Sequence, residues 1–139
     1  MSARKSTLKE VALSLCPPAG VVALRALFAA IFGHQRWLDP IWHFVGGAAA
    51  VYCCSRLLQS AFRLQRKSAV PLIPVTFIIL LWEIDEFVSD RFIGTHVQHG
   101  VLDTGSDIVL GLAGAMLYSI AVEGKRKATE SLLTSERGA

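Results

Sequence analysis

Long apolar runs separated by short polar stretches dominate the chain. Residues 69–81 carry no charge and are rich in Ile, Leu, Val and Phe. About 20 apolar residues of helix match the hydrocarbon thickness of a bilayer. The pattern predicts four such helices, at about 18–35, 40–60, 70–90 and 104–122, with polar termini at 1–10 and 124–139. Pro17 and Pro18 interrupt the first run and are expected either to end a short leading segment or to start the helix, where proline is tolerated. Pro40, Pro71 and Pro74 fall where the second and third helices begin. The fold class expected is all-α, a single membrane domain of four transmembrane helices.

Two of these helices carry a face of small residues. His43, Gly46, Gly47, Ala50 and Cys54 recur at helical spacing in the second, and Asp107, Gly111, Gly114 and Tyr118 in the fourth. Small residues let membrane helices approach closely, so both faces should look into the bundle and take His43 and Asp107 with them.

Composition agrees. Hydrophobic residues make up 53% of the chain and charged ones 18%, against about 25% charged in a soluble domain, and mean hydropathy is +0.47. The net charge of +3 reads as basic flanks at a membrane surface, not as nucleic-acid binding. Basic clusters lie at the N-terminus, at Arg56, Arg63, Arg66 and Lys67, and at Lys125-Arg126-Lys127. All three fall on one side only if the number of spans is even, which predicts both termini in the cytoplasm, as in a bacterial inner-membrane protein. Cys16, Cys53 and Cys54 read as small packing residues. The Leu before Cys16 argues against a lipoprotein box.

With that topology all four histidines gather at the outer end, together with Asp39, Glu83, Asp85, Glu86, Asp90, Asp103 and Asp107. Arg36 and Arg91 accompany them, while Arg25 is assigned to the inner half of its span, either snorkelling or facing the bundle. Glu83, Glu86 and Asp90 stand at i, i+3 and i+7, on one helix face. Ionisable groups inside a membrane domain cost several kcal/mol each unless paired, wet or bound to a cation. The candidate metal ligands are therefore His43, Glu83, Glu86, Asp90, Asp103 and Asp107, with Asp39 one turn before His43 to orient its ring. Glu83, Glu86 and Asp107 are the candidate acid/base groups. Such a set suits a divalent metal without choosing which. The bland alternative, carboxylates simply solvated beyond a helix end, stands beside it. His96 and His99 in their Gly-rich loop read as exposed, and Trp82 and Phe87 as packing or interfacial anchors. No nucleophile elbow, P-loop or dinucleotide fingerprint occurs.

The order of motifs resembles that of the YjdF-like membrane proteins, a family of unknown function, and more distantly that of VanZ-like proteins. The matching parts are Asp39-x-x-x-His43 with Gly46, and Trp82-Glu83-x-x-Glu86-Phe87-x-x-Asp90. Gly94-Thr95 with Gln98, Asp103-Thr104-x-x-Asp107 and Gly114-Ala115 complete them. The resemblance implies that these polar residues form one site, and it supplies no reaction. Two expectations of function follow. One is metal-dependent chemistry on a lipid or another amphiphile in the outer leaflet; the other is a non-enzymatic ion- or proton-handling or assembly protein of the membrane.

Overall fold

In the computed structural model, residues 2–33, 35–62 and 72–137 are described. Among these, the elements are four helices, α1 (Ser2–Phe32), α2 (Asp39–Phe62), α3 (Leu72–Phe92) and α4 (Val101–Arg137), and a 3-10 turn at Arg36–Leu38. His34, Arg63, Arg66, Lys67 and Pro71 lie outside the described residues.

Local chemistry explains the ends that meet at the site. α1 stops at Gly33, whose φ of 71° is the left-handed conformation that ends helices, and the Gln35 side chain donates to the Phe32 carbonyl at 2.7 Å. Pro40 occupies the first turn of α2, where its missing N–H has no intrahelical partner to lose. α3 closes through the amides of Ile93 and Gly94, which both donate to the Ser89 carbonyl, with Gly94 at φ 75°.

Pro17 and Pro18 neither end nor start a helix: both lie inside a continuous α1. Their rings remove the donors that would have met the carbonyls of Leu13 and Ser14. A break would expose more backbone, which an apolar environment penalises further. The C-terminal tail is likewise helical through Arg137, where Arg126 pairs with Glu123 and Glu130 one turn away on either side.

α2 is the central helix, packed against α1, α3 and α4, and α3 also packs on α4. The α2–α4 contact is backbone on backbone. A methyl group at Gly47 would overlap the Gly111 carbonyl oxygen, and one at Gly114 would overlap that of Phe44. Below this crossing lies a small apolar core of Ala50, Val51, Cys54, Val75, Ile79 and Ala115.

The bulky apolar side chains face outward instead: Leu27, Phe28 and Ile31 on α1, Phe77, Leu81, Ile84 and Phe87 on α3, and Val109, Leu117 and Ile120 on α4 are all exposed. Small and polar residues inside with large apolar ones outside is the pattern that lipid imposes. Among the described residues, three stretches are long and apolar enough to cross a membrane, Lys9–Phe32, Arg36–Ser60 and Val101–Ser135. α3 is not among them, because its second half carries Glu83, Asp85, Glu86, Asp90 and Arg91.

Candidate functional site

α2 presents His43 one turn after Asp39, and α3 presents Glu83 and Glu86 one turn apart on its buried face. α4 presents Asp107 from the start of its small-residue face. The side chains meet around the imidazole. Its Nδ1 lies 3.4 Å from Glu83 Oε1; its Nε2 lies 3.6 Å from Glu86 Oε1 and 3.9 Å from both Asp39 Oδ1 and Asp107 Oδ2. His43, Glu83, Glu86 and Asp107 are each at most 5% exposed.

Arg25 on α1 joins this group. It donates to Glu86 Oε1 and, at 3.3 Å, to Asp39 Oδ1, while its guanidinium stands 5.2 Å from the Trp82 ring centre. The Trp82 indole N–H donates to the same Glu86 oxygen at 2.9 Å, and its ring lies 5.5 Å from the imidazole. Gly46 makes room for that ring: a methyl group there would already touch it at 3.4 Å.

Arg25 faces the bundle, one of the two placements expected for it, but stands in the carboxylate layer and not in the other half of its helix, because α1 runs unbroken to Phe32 and so carries Arg25 only two turns from its end. Trp82 packs against Gly46 and His43, as expected of a packing residue, and is in addition a hydrogen-bond donor within the site. The signal for Arg25 was present in its isolation, since a lone cation in an apolar run needs an acid nearby. Which acid follows only from how the helices cross.

The electrostatics are unbalanced. Asp39, Glu83, Glu86 and Asp107 surround the His43 imidazole, and one guanidinium, that of Arg25, reaches two of them, Asp39 and Glu86; four ionised carboxylates would exceed it by three charges. His43 Nε2 and both oxygens of Glu83 are buried without a hydrogen-bond partner. Orphaned acceptors and carboxylates in a dry site each cost about 1–3 kcal/mol or more. Two overlapping triads, Asp39–His43–Asp107 and His43–Glu83–Glu86, bring donor atoms within 4.8 Å of one another, close enough to share a cation.

Asp90 and Asp103 stand apart from this group. Asp90 organises the loop after α3: Oδ1 accepts from the Thr95 hydroxyl at 2.5 Å and the Val97 amide at 2.7 Å, and Oδ2 accepts from the Gln98 amide at 2.7 Å. The Gln98 side chain then donates to the Thr104 hydroxyl at 2.9 Å. Asp103 accepts from the His99 amide at 3.0 Å, with His99 Nδ1 at 3.5 Å. The Asp90, Thr95, Gln98 and Thr104 positions thus form a second, structural network.

The sequence profile of a family described as a predicted membrane protein, DUF2238, matches residues 12–128. The chain belongs to this family. No curated protein and no solved structure matches it. In this DUF2238 protein the matched segment contains Arg25, Asp39, His43, Trp82, Glu83, Glu86 and Asp107, the whole of the buried polar group, as well as the Asp90 loop network.

Proposed function

We propose that this DUF2238 protein is a four-span membrane protein whose Asp39–His43–Glu83–Glu86–Asp107 group binds a divalent cation, and that the bound ion acts on a lipid or amphiphile at the outer leaflet. The observation that carries the reading is the convergence of four carboxyl groups on His43 with one guanidinium among them, His43 Nε2 and both Glu83 oxygens being buried without a hydrogen-bond partner. A dication answers both deficits at once. Oxygen donors with one imidazole suit Mn, Fe, Zn or Mg. Such an ion supplies a polarised oxygen or an activated water. Glu83, buried 3.4 Å from His43 Nδ1, is the residue placed to accept a proton from that water.

α3 completes the membrane domain as the fourth span. Glu83 and Glu86 turn inward, while the side it leaves outward is Phe77, Leu81, Ile84 and Phe87. Even-numbered crossing then puts both basic termini in the cytoplasm.

The ion pairs of Arg25 with Glu86 and Asp39 favour a second reading, a metal-free charge network that handles protons or ions. Reconstitution separates the two. With Mn, Zn or Mg loaded, the enzyme reading predicts turnover of a lipid head group in liposomes that stops on chelation and in Glu83→Gln. Proton or cation flux with no such turnover supports the second reading and contradicts the first.

A further inference from the structure

Beside the carboxylate group, at the end of the bundle where 35–38 and 93–100 meet, lies an open cleft of about 100 Å³. Arg25 and Asp39 stand at its inner edge, Phe28 and Trp42 wall it, and Arg36 and His96 line it. That volume holds a few water-sized groups, the size of a head group and not of a whole lipid. Its ionisable lining is mostly basic: Arg25, Arg36, His96 and His99 against one carboxylate, Asp39, which is paired with Arg25. Arg36 is exposed and has no carboxylate partner among the described residues.

His96 is held there at a cost. Its φ of 54° is a left-handed conformation that non-glycine residues rarely adopt and that clusters at ligand sites. Asp90 keeps it so by gripping Thr95, Val97 and Gln98, the residues on both sides. On α1 the apolar face of Leu24, Leu27, Phe28 and Ile31 is exposed and continues from the cleft wall, with Phe28 edge-on to Trp42 at 5.8 Å.

We infer that this cleft binds the phosphate head group of a membrane amphiphile. Arg36 and His96 hold the phosphate, and the acyl chains lie along the exposed face of α1. A planar guanidinium fork matches phosphate oxygens, and an apolar track leading from the fork to the bilayer selects a lipid over a free ion. The inference deepens the proposed function by naming its substrate class, and it rests on that reading for the cleft's place at the membrane edge. Binding itself needs no metal, so it is tested in EDTA, where failure of the metal reading does not affect the outcome.

The test is native mass spectrometry of the full chain in detergent with phosphatidate, phosphatidylcholine or inorganic phosphate, comparing the parent with Arg36→Gln and Arg91→Gln. The expected result is 1:1 binding of phosphatidate at least about 10-fold tighter than of phosphatidylcholine. That preference should be lost in Arg36→Gln, whose exposed side chain leaves the fold intact, and kept in Arg91→Gln. A His96→Asn variant should weaken phosphatidate without unfolding, since Asn also tolerates positive φ. Equal binding of the two lipids, or an undiminished preference in Arg36→Gln, overturns the inference. Displacement of phosphatidate by equimolar inorganic phosphate would assign the cleft to a free anion and overturn the lipid assignment.

Discussion

Arg25 carries more of the local electrostatics than any other single residue, because among the described residues it is the one Arg or Lys that touches the buried acids. Removing it leaves Glu86 and Asp39 facing His43, Glu83 and Asp107 without compensation. Breaking a buried pair costs about 3–5 kcal/mol, less here because the guanidinium is 19% exposed. Arg25→Gln should therefore lower the thermal unfolding midpoint in detergent, and millimolar Mn should restore much of the loss by occupying the freed carboxylates. A variant as stable as the parent, or one that Mn fails to rescue, would show that the acids need no cation. At this scale the sequence was legible for side chains linked by helical spacing. Asp39 and His43, Glu83 and Glu86, and Asp107 on its glycine face all converge as the i, i+3 and i+4 pattern implies. Asp90 follows the same spacing yet serves the loop, because it stands in the last turn of α3, within reach of the loop amides of Val97 and Gln98, which take it as their acceptor. Arg25 was misplaced because its partners lie 14 and 61 residues away, a distance that periodicity does not reach.

Among the elements, α2 and α4 are held by the absence of side chains. At Gly47 and Gly114 an added methyl would overlap a carbonyl oxygen of the facing helix, so the helices must part, and with them His43 and Asp107. Overpacking of this kind costs about 1–3 kcal/mol. Gly114→Ala should lower the unfolding midpoint and weaken cation binding together. Gly20→Ala, where nothing lies within 4 Å, should leave both unchanged or raise stability slightly, as alanine favours helix. Equal behaviour of the two variants would refute the close α2–α4 crossing. The small-residue faces were legible because close packing restricts composition. The continuity of α1 was not: prolines disfavour helix locally, and the apolar surroundings that outweigh them act on the whole segment.

The whole molecule is an inverted core, polar and small within, bulky and apolar without, and its family match covers nearly all of it. The segments 35–38 and 93–100 share one end of the bundle, around the cleft and the acids. In a background with Cys16, Cys53 and Cys54 replaced by Ala, His99→Cys should react with a membrane-impermeant thiol reagent from outside the cell, and Ser131→Cys only after lysis. Labelling of both from the same side would remove the outer-leaflet assignment. Whether a cation sits among the acids at the middle of this bundle is decided by elemental analysis of the purified protein after loading with Mn, Zn or Mg and removal of excess. Close to one divalent ion per chain is expected in the parent and little in a folded Glu83→Gln/Glu86→Gln variant. No bound metal in the parent, or the same amount in both proteins, would contradict a cation site there.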